Sequence, residues 1–94
     1  MKKNSNNNDS ELIEKVKKGN EMAFNFLMNK YYSRVYASLL SFTKSKEDAE
    51  DLTQQTFVKV WQQIKTFRGD SAFFTWVYRI AINLAKNYVS SSGY

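Results

Sequence analysis

Ninety-four residues suffice for one small domain and leave little room for a second. The composition is 43% apolar and 16% aromatic, and 14 Lys+Arg against 9 Asp+Glu give a formal charge of +5, a balance that favours anionic partners only weakly. Cysteine and histidine are both absent, which removes disulfides, thiolate and imidazole metal sites, thiol nucleophiles and the commonest general base.

The longest apolar run is three residues, far short of the ~20 that span a bilayer. Asn4 to Asn8 follow Lys2 and Lys3 where a secretory signal would place its apolar stretch. The chain therefore reads as soluble, cytoplasmic and non-enzymatic, without membrane insertion, metal or cofactor.

In chain order, residues 1–9 are Asn- and Lys-rich without periodicity and read as a disordered leader. A first helix, about 10–18, carries Leu12, Ile13 and Val16 as its apolar stripe and stops at Gly19. Asn20 is placed to cap a second helix, about 21–43. Along it Phe24, Leu27, Tyr31, Val35 and Leu39 recur at intervals of three or four, as a core face does.

Ser45 and Asp48 form a capping-box-like start for a third helix, about 46–66. Glu47, Asp48, Glu50 and Asp51 crowd its first turns. A solvated turn that compensates the helix dipole explains them better than a metal site. Ala49, Leu52, Thr53, Thr56, Val60 and Ile64 share the core face. Phe57 and Trp61 sit roughly 80° away from it, and with Glu50 and Gln54 they make a second stripe. That stripe is either a wide core edge or a partner surface.

Phe67, Arg68, Gly69, Asp70 and Ser71 interrupt the helical pattern. Gly69 permits positive φ, and Asp70 or Ser71 can cap a fourth helix, about 72–89. Phe73, Val77, Ile80 and Leu84 form its expected buried stripe, widened by Trp76 and Tyr88. Residues 90–94 read as a flexible tail or linker start. With no proline anywhere, and glycine between residues 10 and 89 only at 19 and 69, the fold class is all-α, a compact bundle of three to four helices.

The opposite side of the fourth helix is more informative. Thr75, Arg79, Asn83 and Lys86 line one polar face with no acid among them, whereas a solvating face usually mixes both signs. From Leu52 onward, five basic residues (Lys59, Lys65, Arg68, Arg79, Lys86) stand against one acid, Asp70, a balance of +4. Asn amides read base edges, and Arg and Lys meet phosphates. Phe67, Phe73, Phe74, Trp76 and Tyr78 flank the loop, where rings suit stacking on an unpaired base. A nucleic-acid surface is the reading these residues favour.

Two stretches resemble region 2 of the sigma-70 family of bacterial initiation factors. One is Asp48-Ala49-Glu50-Asp51-Leu52-Thr53-Gln54-Gln55-Thr56-Phe57-Val58-Lys59-Val60-Trp61. The other runs from Phe67-Arg68-Gly69-Asp70-Ser71-Ala72-Phe73-Phe74-Thr75-Trp76 through Arg79 and Asn83 to Ala85-Lys86-Asn87-Tyr88. The extracytoplasmic-function (ECF) group, and within it the sigma-E type, is the most similar, over about residues 10–89.

The resemblance implies a factor that binds core RNA polymerase and melts the promoter −10 element. It assigns Asp51, Gln54, Gln55, Phe57 and Trp61 to the β′ clamp helices; Gln55 stands where many members have Glu. It assigns Phe67, Arg68, Gly69, Asp70, Ser71, Ala72 and Phe74 to a pocket for a base flipped from the single-stranded non-template strand. Thr75, Trp76, Arg79, Asn83, Lys86 and Asn87 would hold upstream bases and phosphates. It also implies an anti-sigma factor as a partner and a monomeric state. The helix-turn-helix region 4 of full-length members has no counterpart after Tyr88. Two other readings compete with this one. One is a helical protein-interaction module without DNA recognition. The other is a duplex-reading helix-turn-helix, disfavoured by the lack of a short second helix and compact turn.

Overall fold

A computed structural model describes residues 5–91, with side chains for 9–88. Among them are four α-helices and no strand: α1 (Ser5–Lys17), α2 (Glu21–Thr43), α3 (Lys46–Gln63) and α4 (Phe73–Ser91). A single 3₁₀ turn, Ile64–Thr66, ends the third helical segment, which therefore tightens over the three residues expected to continue α3.

Local chemistry sets the breaks. After α1 the Gly19 N–H bonds the Val16 carbonyl at 2.8 Å and the Asn20 N–H bonds that of Lys15 at 3.0 Å. This Schellman pairing needs left-handed backbone at Gly19, whose φ is 95°. The Asn20 side chain accepts from the Ala23 N–H at 2.9 Å to open α2, and the Ser45 hydroxyl accepts from the Asp48 N–H at 3.2 Å to open α3. Between them Lys44 closes α2 in the left-handed region, its N–H on the Leu40 carbonyl.

The core is continuous through all four helices. Along α3 and into the 3₁₀ turn the six expected residues (Ala49, Leu52, Thr53, Thr56, Val60 and Ile64) are all buried. The two threonines return their hydroxyls to the carbonyls four residues back, Thr53 to Ala49 at 2.6 Å and Thr56 to Leu52 at 2.7 Å. Their burial therefore leaves no hydroxyl unpaired.

Elsewhere the packing corrects the sequence pattern. In α2, Ala23 takes the buried place expected for Phe24, which is half-buried. In α4 the fully buried positions are Phe73, Val77, Ala81 and Ala85, while Ile80 and Leu84 lie half-buried beside them. Alanine thus fills two of the four buried positions, and the larger Ile80 and Leu84 pack at the flank of the core. The cap of α4 is also displaced. The Ala72 carbonyl accepts the first helical bond, from Trp76 at 3.2 Å, while the Ser71 hydroxyl bonds that same carbonyl instead of an N–H.

The chain ends differ from the leader and tail read from composition. Residues 5–9 belong to α1, and Asp9 is buried and bonded to α2. Residues 90 and 91 belong to α4. The rest of both expected segments, 1–4 and 92–94, lies outside the described residues.

Candidate nucleic-acid interface

The loop between the 3₁₀ turn and α4 is anchored at both ends by aromatic rings. Phe67 is only 8% exposed, and its ring meets Phe73 edge-on at 5.4 Å and Trp76 at 5.2 Å. Its N–H bonds the Ile64 carbonyl, and its carbonyl accepts from the Lys17 ammonium at 2.7 Å. Burial therefore makes Phe67 and Phe73 supports of the loop, not free stacking platforms.

Between these anchors Arg68, Gly69, Asp70 and Ala72 are exposed and Ser71 is half-buried. Arg68 and Asp70 lie 3.8 Å apart, both open to solvent, a pairing worth little. Gly69 adopts φ 82°, and a Cβ there would meet nothing within 4 Å. Backbone shape, not crowding, selects glycine.

A cleft of about 380 Å³ opens beside the loop, within the ~300–1,000 Å³ typical of small-ligand pockets. Its loop wall is Gly69 to Phe73 with Phe67, and its other wall is Asp9, Ser10 and Ile13 of α1. Sequence reasoning missed the α1 wall, because no periodic signal links residues 9–13 to residue 70.

Asp9 holds that wall in place. One carboxylate oxygen accepts from Lys30 at 2.8 Å and the other from the Tyr31 hydroxyl. Burial, then the Asp9 hydrogen bond, then its negative charge, push the Tyr31 hydroxyl well above its ordinary value. The Tyr31 ring also stacks on Phe74 at 5.8 Å, and the Arg34 guanidinium sits 4.0 Å from the Phe74 centroid. Phe74 is thus engaged inside the fold, and Arg34 adds a positive group from α2 that no motif signalled.

Along α4, Thr75, Arg79, Asn83 and Lys86 are all exposed, on the single side expected from helical spacing. Trp76 is half-buried against Phe67 and Phe73. Asn83 and Asn87 line a shallow groove of about 250 Å³ together with Lys59 and Gln63 of α3. Lys59 and Gln63 are further polar groups that the α4 pattern alone could not reveal.

The second stripe of α3 borders a different feature. An apolar groove of about 420 Å³ between α2 and α3 is lined by residues that include Phe24, Met28, Tyr32, Gln54, Phe57 and Trp61. Trp61 is 38% exposed and meets Phe24 edge-on at 5.1 Å. Phe57, expected off the core face, is only 3% exposed and stacks on Tyr32 at 6.1 Å. Helix α2 wraps over that side of α3 and covers it. Burial, followed by the nearby Glu50 charge, raises the Tyr32 hydroxyl above its ordinary value. Asp51 and Gln55 are exposed, paired by a 2.7 Å bond from the Gln55 amide, and do not line the groove. Among the described residues no three carboxylates converge on a metal position.

Sigma-70 region 2 matches this chain over residues 27–93. The chain belongs to that family, as its two motifs imply. It is 46% identical over 85 residues to the ECF RNA polymerase sigma-E factor of Haemophilus influenzae and 47% identical over the same length to that of Escherichia coli. Against the RNA polymerase sigma-H factor of Pseudomonas aeruginosa the identity is 41%. Each match covers 90% of this chain and 44% of the relative, so the chain spans less than half their length. The fold is also similar to that of an engineered region 2 of sigmaE, solved by NMR in complex with GTAAAA. The TM-score is 0.83 at 38% identity, covering 90% of this chain and 88% of that one. No helix among the described residues is long and apolar enough to cross a membrane.

Proposed function

We propose that this domain is the promoter-opening module of an ECF sigma factor, acting in the cytoplasm on core RNA polymerase and the −10 element. The observation that carries the reading is the cleft beside Gly69–Phe73, adjoining the exposed row Thr75, Arg79, Asn83 and Lys86. A base extruded from duplex loses stacking worth a few kcal/mol, which a pocket offering ring edges and hydrogen bonds can offset. Gly69, Asp70, Ser71 and Ala72 line that pocket with Phe67, Arg68 stands exposed at its edge, and Phe74 and Trp76 pack on the rings that support the loop. Arg79 and Lys86 then meet phosphates, and Asn83 and Asn87 meet base edges of the upstream strand. The sigmaE region 2 neighbour, solved in complex with GTAAAA, supports a nucleic-acid ligand.

The apolar α2–α3 groove supports docking on the β′ clamp helices, with Trp61 as its exposed anchor and Gln54 in its lining, while Asp51 and Gln55 offer polar contacts on the exposed surface of α3 outside it. An anti-sigma factor that covers either surface would regulate a monomeric, non-enzymatic domain of this kind. The same groove also supports a second reading, a protein-interaction module that does not touch DNA.

Chemical-shift mapping with single-stranded GTAAAA separates the two. Shifts centred on residues 68–72 and on Thr75, Arg79 and Asn83 are expected. Binding indifferent to base changes, or shifts confined to the α2–α3 groove, would overturn the DNA reading.

A further inference from the structure

The loop cleft does not end at the loop. A second cleft, about 220 Å³, shares Ser10, Ile13, Phe67 and Gly69 with it and continues over Arg68, Glu14 and Lys17. Lys17 in turn borders a third, about 530 Å³, lined by residues that include Lys18, Trp61 and Lys65. Linked by shared lining residues, the three clefts lie in succession from the loop, around the end of α1, to the 3₁₀ turn, and mark out a path.

Its chemistry changes along the way. At the far end Lys18 and Lys65 are exposed, and the Trp61 ring edges the space. Lys17 is committed elsewhere: its ammonium bonds the Phe67 carbonyl at 2.7 Å and lies 3.8 Å from Glu14. That bond ties the basic cleft to the first residue of the loop, so the two keep a fixed relation.

From these observations we infer that the path is a track for the single strand downstream of the captured base, with Lys18 and Lys65 meeting its phosphates. The inference rests on the proposed capture of the −10 strand. With α4 holding the upstream side and the loop holding the extruded base, a strand leaving 3′ of that base enters the α1–3₁₀ path. The two exposed ammonium groups suit a flexible, sequence-tolerant strand, because phosphate contact does not depend on the base.

The test compares three single-stranded DNA probes by fluorescence anisotropy: GTAAAA, GTAAAATTTT and TTTTGTAAAA. The 3′-extended probe is expected to bind about three- to tenfold more tightly than GTAAAA at low salt. Its salt dependence should steepen by about 1.4, two contacts at about 0.7 each. Lys18→Ala combined with Lys65→Ala should abolish that gain and leave GTAAAA binding unchanged. An equal gain from the 5′ extension, or a 3′ gain insensitive to both lysines, overturns the track while leaving base capture standing. If GTAAAA itself does not bind, base capture and the track both fall.

Discussion

The Tyr31 hydroxyl donates to the buried carboxylate of Asp9, joining the start of α1 to the middle of α2. Lys30 takes the other carboxylate oxygen at 2.8 Å. A buried carboxylate is tolerated only when its oxygens are bonded. Here the bonded carboxylate lies on one wall of the loop cleft, while the ring of Tyr31 packs on Phe73 and Phe74 at the start of α4. One tyrosine thus couples both sides of the proposed base pocket.

Tyr31→Phe keeps the ring contacts and removes the donor. It should lower stability by about 1–3 kcal/mol, the usual cost of leaving a buried acceptor short of a partner, read as a lower urea midpoint. The alkaline limb gives a second readout. Burial first, then the Asp9 bond, raises the Tyr31 hydroxyl above its ordinary 10.0, so the unfolded chain releases this proton before the folded one. Stability from this group is therefore complete below about pH 10 and declines as pH rises further. The decline should be shallower in Tyr31→Phe, with a remainder from Tyr32, which is also raised. An unchanged slope would refute the coupling.

Phe57 and Trp61 separate packing from docking. Phe57 is 3% exposed, and Phe57→Ala should cost about 3–5 kcal/mol of stability, which makes it a poor probe of partner binding. Trp61, at 38% exposed, should lose far less stability on change to Ala. On the proposed reading it should still weaken binding to a β′ clamp fragment by roughly 2 kcal/mol, as an exposed aromatic anchor does. Calorimetric titration beside a thermal melt checks both, and unchanged affinity in folded Trp61→Ala would exclude it from docking.

Much of this architecture was legible because it depends on local chemistry. Asn20, Ser45 and Gly19 stop and start helices through bonds made within five residues. The polar row of α4 follows from helical spacing alone. What escaped was set by distant partners. Asp9 looked solvated in an Asn-rich leader, and only its meeting with Lys30 and Tyr31 makes burial tolerable. Phe57 lay off the α3 core face until α2 covered it. The loop cleft was half legible for the same reason, since its loop wall lies in one motif and its α1 wall in none.

Ala81 and Ala85 test the correction made to α4. Hydrophobicity favoured Ile80 and Leu84 as the buried pair, yet both alanines are fully buried and both larger residues are half-buried. Ala81→Leu should therefore destabilise by about 1–3 kcal/mol through overpacking, although it adds apolar surface and a good helix former. A thermal melt at unchanged or higher temperature would show that the helices have room to separate there.

Asn83 and Lys86 occupy one exposed side of α4 but are expected to act differently on a bound strand. An amide discriminates because its donor and acceptor must match a base edge, so Asn83→Ala should erode preference at one base. The loss there should be about 1–3 kcal/mol, with other positions little changed. An ammonium meets any phosphate, so Lys86→Ala should weaken every oligonucleotide alike and reduce the salt slope by about 0.7. Affinities for GTAAAA and its single-base variants at several salt concentrations resolve the two patterns. Because both side chains are exposed, neither change should disturb folding. A uniform loss in Asn83→Ala would move that residue from base reading to backbone contact, and a base-specific loss in Lys86→Ala would do the reverse.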